Sequence, residues 1–309
     1  MPARFAALDL GSNSFRLQIA KWQNNKMQLE KRIRAPVRLA AFLDENKNLK
    51  LEGFYQAVQA LNAFAQKLKN FHAQQVMATG TFALRSAQNK SEFLPLLEDA
   101  LGFPIRVLSG EEEARYIFQG MQASLPAHNV MRLFIDIGGG STEIICGKNQ
   151  KIETLFSIPI GCVTQSARFF QHSHISHQAF QNAVDFAKNA FLPFKNKIAK
   201  SHWQTAYGSS GSVRASIEFL KLNQYTKKRQ ISFNNLQTIM PLFFKTGDFS
   251  AFQMGAIRED RRAIMPAGFS ILWALFEVFE IKNLLYAKGA LCQGLLEEMR
   301  NNSNSFYNL

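Results

Sequence analysis

Two glycine- and serine-rich turns in this sequence have the residue types that could bind phosphate. They are Gly11-Ser12-Asn13-Ser14, shortly after Asp9, and Gly138-Gly139-Gly140-Ser141, shortly after Asp136. Glycine turns expose backbone N–H groups that can converge on phosphate, and serine and asparagine add side-chain donors. The aspartate that ends each apolar run is placed to bind Mg²⁺ or to orient water. We therefore predict phosphate binding at both turns, whereas either turn alone would also suit an ordinary tight hairpin.

The two turns belong to an internal repeat. Residues 6–14 and 133–141 both read as an apolar run, an aspartate, an apolar residue, a glycine, a small turn and a serine, and Asp136 follows Asp9 by 127 residues. Matched segments of this kind indicate duplicated structural units. The repeat predicts two similar lobes, each opening with the same hairpin, that face one another across a cleft.

A third element, Gly208-Ser209-Ser210-Gly211-Ser212, lies between a strand-like segment and a predicted helix. A helix N-terminus presents unpaired N–H groups, so this turn could hold another phosphate at Gly208, Ser210, Gly211 and Ser212. By itself the pattern is equally typical of an ordinary turn.

The remaining pattern alternates strands with helices, which is typical of an α/β protein. Apolar residues at helical spacing predict a helix over 52–69, and a second helix begins at the acidic residues 111–113, after Ser109. The pattern is interrupted at 123–129 by serine, proline, histidine and asparagine. We predict a first lobe at 1–124 and a second at 125–309, with the C-terminal helix a candidate to return to the first lobe.

Composition and charge restrict the function classes. The net charge of +13 and the pI near 9.8 suggest a polyanionic partner, for which nucleic acid, anionic membrane and polyphosphate all qualify. No zinc finger, aromatic RNA-binding signature or basic amphipathic helix is visible, so no specific nucleic-acid partner is expected. Charged residues interrupt the apolar stretch 269–285, which predicts a buried helix and no membrane partner.

Cysteine usage and the N-terminus predict a cytoplasmic protein. Three widely separated cysteines form no C-x-x-C pair, and no secretory signal is visible. His172, His174 and His177 have no carboxylate or cysteine nearby in sequence to complete a metal site, so we expect a polar connection there.

Several ordered motifs together resemble one known family. The sequence is similar to the exopolyphosphatase/guanosine pentaphosphate phosphohydrolase (Ppx/GppA) family, within the actin, sugar kinase and chaperone ATPase superfamily. The motifs that carry the resemblance span most of the chain and are Asp9–Arg16, Ala78–Arg85, Ser109–Arg115, Asp136–Glu143, Gly208–Ser212 and Gly289–Leu291. The resemblance implies two actin-like, ribonuclease H-like lobes with the active site in the cleft between them.

The resemblance also implies roles for individual residues. Glu113 matches the general base that activates the attacking water, and Arg85 matches an arginine on the terminal phosphate. Asp136 and Glu143 match residues that bind metal and orient phosphate, and we add Asp9 to the metal ligands. From elementary chemistry, Glu113 can deprotonate water only if no nearby arginine neutralises it.

Other implications of the resemblance concern partners and chain length. Arg261 is either a further substrate contact or part of a surface salt bridge. Mg²⁺ is the implied cofactor, with a monovalent cation as a candidate activator, and a homodimer is a family-level expectation. Longer relatives continue beyond residue 309 into a helical region, so a short two-domain form is implied. If that region helps to hold polymer, shorter phosphate chains or nucleotides are favoured.

These observations predict an exopolyphosphatase that releases terminal orthophosphate from polyphosphate by Mg²⁺-assisted attack of water. The close alternative is a guanosine pentaphosphate 5′-phosphohydrolase. An ATP-dependent kinase and a non-catalytic sensor of polyphosphate or alarmone are further alternatives. Transfer of phosphate to an acceptor would identify the kinase, and tight binding without turnover would identify the sensor.

Overall fold

The computed structural model describes residues 3–23, 26–170 and 175–307. It divides into two compact units: unit 1 comprises Met1–Ser124 and Gly289–Leu309, and unit 2 comprises Leu125–Lys288. His172 and His174 lie outside the described residues.

Unit 1 is built on a five-stranded sheet of order β3-β2-β1-β4-β5. Strands β1 to β3 form an antiparallel meander, while β4 and β5 run parallel to β1. Its elements up to residue 124 are β1 (Ala3–Leu10), β2 (Ser14–Gln23), β3 (Lys26–Pro36), a 3-10 helix (Leu39–Phe42), α1 (Leu51–Leu68), a 3-10 helix (Ala73–Gln75), β4 (Val76–Gly80), α2 (Phe82–Ser86), α3 (Lys90–Leu101), β5 (Ile105–Val107) and α4 (Gly110–Ala123).

The helices of unit 1 follow from the spacing of their apolar residues. Helix α1 buries Ala57, Leu61, Phe64 and Leu68, which lie three or four residues apart on one stripe. This confirms the helix predicted over 52–69. Helix α4 begins directly after Ser109, which confirms the start predicted at the acidic residues.

Unit 2 repeats this arrangement with a six-stranded sheet of order β10-β11-β9-β6-β7-β8. Strands β6 to β8 are antiparallel, β9 and β11 are parallel to β6, and β10 is an antiparallel edge strand. Its elements are β6 (Arg132–Ile137), β7 (Thr142–Lys148), β8 (Lys151–Ile158), α5 (Cys162–Phe169), α6 (His177–Phe191), a 3-10 helix (Leu192–Phe194), α7 (Lys195–Lys200), β9 (Thr205–Ser209), α8 (Ser210–Leu222), β10 (Gln230–Ser232), α9 (Phe233–Thr246), α10 (Glu259–Arg262), α11 (Met265–Phe279) and β11 (Asn283–Tyr286).

The shared topology explains the repeat in the sequence. In each unit a three-stranded meander is followed by a strand that pairs in parallel with the first strand of the meander. The aspartate of each repeat lies near the C-terminal end of that first strand, at Asp9 in β1 and Asp136 in β6. The α/β class and the duplicated hairpin are therefore confirmed.

The apolar segment 269–285 is not a single helix. Helix α11 is buried on nearly all sides, as predicted, but it ends at Phe279, where Glu280 adopts a left-handed conformation, and β11 then begins at Asn283. Among the described residues, no helix is both long and apolar enough to cross a membrane.

The last helix, α12 (Leu291–Tyr307), packs in unit 1 against α4 and β1. Residues 289–309, which the sequence analysis places in a second lobe at 125–309, therefore belong to unit 1. Small residues permit this packing: a Cβ added at Gly294 would overlap the carbonyl oxygen of Tyr116, and one at Gly289 would overlap that of Gly120.

Replacing Gly294 with Ala should destabilise unit 1 because the added methyl group forces α12 away from α4. We expect a loss of about 1–3 kcal/mol in the free energy of unfolding, typical of overpacking. Urea unfolding followed by circular dichroism would measure it. Gln293→Ala on the same helix is the matched control, and an equal effect of the two substitutions would contradict the close-packing argument.

Candidate active site

In unit 1, the register of the first hairpin sets the environment of Asp9. Asp9 in β1 lies directly opposite Arg16 in β2, and the Arg16 Nη1 atom is 3.7 Å from the Asp9 Oδ2 atom. Because opposed residues of an antiparallel pair point to the same face, the two side chains share one side of the sheet. The Asp9 carboxylate therefore has a cation beside it within its own unit.

The turn after Asp9 is fixed by contacts on both sides. Ser12 Oγ accepts a hydrogen bond of 3.2 Å from the Ala83 amide at the start of α2, and Arg34 Nε donates to Ser14 Oγ at 2.9 Å. The Ser12, Asn13 and Ser14 side chains are buried. The turn is thus held against α2, the short helix that carries Arg85.

The structure brings together Arg85 and Glu113, two residues to which the family resemblance assigns separate roles. Arg85 Nη1 donates to Glu113 Oε2 at 2.9 Å and to the Leu108 carbonyl oxygen at 2.9 Å. Glu113 is only 7% exposed. The requirement that no arginine neutralise the base is therefore not met in this state, because Arg85 is itself the neutralising cation.

A capping box positions Glu113 on α4. Ser109 Oγ accepts from the Glu112 amide at 3.1 Å, and the Glu112 carboxylate accepts from the Ser109 amide at 2.8 Å. Arg106 also donates to Glu112. The hydrogen bond from the Ser109 backbone and the contact with Arg106 lower the pKa of Glu112. The helix start that presents Glu113 is thus held by its neighbour in sequence.

Cys292, in the first turn of α12, lies near Asp9. Burial raises the pKa of the Cys292 thiol, and the charge of Asp9 raises it further. The first turn of α12 therefore lies close to the end of β1 that carries Asp9.

In unit 2, the equivalent register gives a different charge pattern. Asp136 in β6 lies directly opposite Glu143 in β7, and Glu143 is only 1% exposed. Ser209, the neighbour of Asp136 on β9, donates to Asp136 Oδ1, and Ser157 on β8 donates to Glu143 Oε1 at 2.7 Å. Two carboxylates therefore share one face where unit 1 has a carboxylate and an arginine.

This pair of carboxylates fits a magnesium ion. Like charges directly opposite each other in a sheet destabilise it, and a divalent cation would offset that repulsion. Within the described residues there is no cluster of three or more histidine, cysteine, aspartate or glutamate side chains that could hold a metal. Mg²⁺ commonly takes only one or two carboxylates and completes its shell with water and phosphate oxygens, so two are sufficient.

The turn Gly138–Ser141 is fixed by the start of α5. The Gly138 carbonyl oxygen accepts from the Cys162 amide at 3.0 Å, and the Gly139 carbonyl oxygen accepts from the Val163 amide at 2.8 Å. A Cβ at Gly161 would overlap the backbone of Gly139 and Gly140. These bonds hold the turn's carbonyl groups against the helix.

The third turn contacts the second through Cys162. Ser212 Oγ donates to Cys162 Sγ at 3.2 Å, and Cys162 Sγ donates to the Gly138 carbonyl oxygen at 3.2 Å. Burial raises the pKa of the Cys162 thiol, so it stays protonated and able to donate. Ser210 adopts a positive φ of 88°, and its Oγ accepts from the Ser212 amide at 3.1 Å. The turn at Gly208 is therefore joined to the turn at Gly138.

Arg261 is not a surface residue. It is 7% exposed, and a Cβ added at Gly211 would lie 2.5 Å from the Arg261 Cζ atom, so its guanidinium packs directly on the third turn. The nearest carboxylate oxygen of Asp260 is 4.0 Å from Arg261 Nε. An ion pair with Asp260 is therefore present, but its arginine is buried and does not lie at the surface, and the substrate contact stays a prediction.

Sequence reasoning did not identify Ser209, Ser157 or Cys162. Ser209 lies inside a motif that was recognised, and its hydroxyl contact depends on the parallel pairing of β6 with β9. Ser157 and Cys162 carry no local signal, because their partners are 14 and 24 residues away.

Each of the two α/β units carries a glycine-serine turn directly after the first strand of its sheet. The chain belongs to the Ppx/GppA phosphatase family, whose model matches residues 18–303. This confirms the family that the motifs indicate. The guanosine-5′-triphosphate,3′-diphosphate pyrophosphatase of Photobacterium profundum is 35% identical over 295 residues, which are 96% of this chain. The chain spans 59% of the length of that relative.

Solved structures agree on the fold. An exopolyphosphatase from Cytophaga hutchinsonii superposes with a TM-score of 0.87 at 21% identity, covering 97% of this chain and 98% of that one. A Ppx/GppA family member from Aquifex aeolicus superposes with a TM-score of 0.76 at 25% identity, covering 98% and 99%. The predicted fold class is confirmed by these matches.

Glu112 should make stability depend on pH. Because its folded-state pKa is lowered, its contribution is present above the ordinary value of 4.5 and is lost as the pH falls through the lowered pKa. We expect Glu112→Gln to lower the melting temperature at neutral pH and the difference from wild type to shrink on acidification. Glu111→Gln, its exposed neighbour, is the control. A difference that stays constant down to acid pH would contradict this role.

Proposed function

We propose that this protein is a phosphoanhydride hydrolase that releases the terminal phosphate of its substrate by attack of water. The observation that carries the proposal is the hydrogen bond between Arg85 and the buried Glu113. A carboxylate and a guanidinium are the groups that hydrolysis needs at the reacting phosphorus, one to accept a proton and one to offset negative charge.

In the proposed mechanism, the substrate separates this pair. A terminal phosphate presents two or more anionic oxygens, which can bind a guanidinium in a bidentate manner and so compete with the single contact from Glu113. Once Arg85 binds phosphate, the Glu113 carboxylate loses this hydrogen bond and can accept a proton from water. The water oxygen then bonds to phosphorus, the bridging P–O bond breaks, and orthophosphate is released.

Asp136 and Glu143 are the proposed ligands for Mg²⁺, which when bound offsets charge on the phosphate oxygens. Ser209 and Ser157 orient these two carboxylates through their hydrogen bonds. We assign Asp9 a weaker part in metal binding than the sequence suggested, because Arg16 already lies beside it.

The proposed phosphate contacts are the amides and hydroxyls of the three turns, together with Arg261. In the third turn, Ser210 Oγ accepts a hydrogen bond from the Ser212 amide, which is one of the proposed donors to phosphate. Rotation of the Ser210 side chain would release this amide.

A homodimer stays a family-level prediction.

The substrate we propose first is guanosine pentaphosphate. The 35% identical relative from Photobacterium profundum is named for this activity, whereas the exopolyphosphatase match at 21% identity shows only the fold. The sequence alone favoured polyphosphate, so the comparison reverses that order. Polyphosphate is the second candidate, supported by the net charge of +13.

Phosphate release from guanosine pentaphosphate, tripolyphosphate, long-chain polyphosphate and ATP, measured side by side in Mg²⁺, tests the assignment. We expect the highest kcat/KM for guanosine pentaphosphate. A higher value for long-chain polyphosphate would identify the second candidate instead. Tight binding with no release from any substrate would identify a sensor and reject the hydrolase.

Replacing Glu113 with Gln should lower kcat by about 10²–10⁴-fold, the usual contribution of a general base, and leave substrate binding intact. Arg85→Gln should lower kcat and also weaken binding, because it removes the phosphate contact. Glu111→Gln on the same helix turn is the control and should retain full activity. Undiminished turnover by the Glu113 variant would reject it as the base.

A further inference from the structure

A cavity on unit 2 has no part in the chemistry described above. It encloses about 400 Å³, within the ordinary range for small-molecule sites. Its lining residues are Arg214, Ile217, Glu218, Lys221, Leu222, Arg229 and Tyr286.

One wall of the cavity is a single face of α8. Arg214, Glu218 and Lys221 are exposed and follow one another at spacings of four and three, which places them in one row along the helix. Ile217 and Leu222 lie beside this row and provide apolar surface. Helix α8 starts at the Gly208–Ser212 turn, so the row extends from a proposed phosphate contact.

A second part of the lining, formed by Arg229 and Tyr286, is joined to the same turn. The Tyr286 amide donates to the Arg229 carbonyl oxygen at 2.9 Å, and the next amide, that of Ala287, donates to the Gly208 carbonyl oxygen at 2.9 Å. Tyr286 also pairs with Gly208 in the parallel register of β11 and β9. Neighbouring strands lie about 5 Å apart, so the aromatic wall is within the reach of one nucleotide from the phosphate turn.

The charged groups of the cavity remain available to a ligand. Across the residues described, neither Arg214, Lys221 nor Arg229 forms an ion pair with Glu218, although Arg214 and Glu218 are one helical turn apart. The cavity thus combines an aromatic ring, a carboxylate and guanidinium groups.

We propose that this cavity binds the guanine base of a nucleotide whose phosphates occupy the third turn. Guanine donates two N–H groups from its Watson–Crick edge, which a carboxylate such as Glu218 can accept together. Its O6 and N7 atoms accept from arginine or lysine, and its face can stack on the ring of Tyr286. Adenine presents an acceptor where guanine has its N1–H donor, so Glu218 selects guanine. The link to turnover rests on the proposed function, whereas nucleotide binding does not.

Calorimetric titration with GDP and ADP tests the pocket without turnover. We expect the wild-type protein to bind GDP more tightly than ADP, and Glu218→Gln to weaken GDP binding about ten-fold or more. Glu153→Gln, an exposed glutamate elsewhere on unit 2, is the matched control and should bind GDP normally. Equal binding of GDP and ADP, no binding of GDP, or unchanged GDP binding by the Glu218 variant would overturn the proposal.

Kinetics separate this proposal from the proposed function. Glu218→Gln should lower kcat/KM for guanosine pentaphosphate about ten-fold and leave that for tripolyphosphate, which has no base, unchanged. An equal loss on both substrates would overturn the pocket and indicate a general structural effect. If the wild-type protein hydrolyses neither substrate, the proposed function fails, and the calorimetry still decides whether the pocket binds guanine.

Discussion

The antiparallel register of the first hairpin in each unit is the constraint on which the candidate chemistry depends. It places the residue seven positions after the strand-end aspartate directly opposite that aspartate, as Arg16 opposite Asp9 and Glu143 opposite Asp136. The same backbone therefore produces a self-neutralised pair in unit 1 and a pair of like charges in unit 2. The two copies of the fold therefore differ in charge because one has Arg16 where the other has Glu143. Only the pair of carboxylates in unit 2 is suited to a divalent cation.

The pair of Arg85 and Glu113 shows how one contact can keep two reactive groups stable until they are needed. A buried carboxylate without a partner would be costly, and a nearby arginine removes that cost. In the proposed mechanism, the same arginine prefers a phosphate with several anionic oxygens, so binding of the substrate changes the partner of Arg85. The proposed base, Glu113, would then accept a proton only when a phosphate is bound.

Much of the site was predictable from the sequence, because its motifs are local. The glycine turns and the start of α4 after Ser109 depend on residues that are close together in the chain. The repeat at an offset of 127 residues is found by comparing one part of the sequence with another. The sequence made α12 only a candidate to return to the first lobe, because its place in unit 1 depends on the close approach of Gly294 to Tyr116, which is far away in the sequence. Likewise, net charge does not distinguish one polyanion from another, and the proposed order of substrates changed only with the comparison to the 35% identical relative.

The sequence by itself determined the family and the α/β class and predicted the residues that bind phosphate, since each of these follows from residue types in short ordered patterns. Only the tertiary structure decided which of those residues meet. It paired Arg85 with Glu113, buried Arg261 against Gly211, and set Ser209 beside Asp136. The physical reason is that strand pairing and helix packing join residues tens of positions apart, and the free energy of those contacts has no signature in any local stretch of sequence.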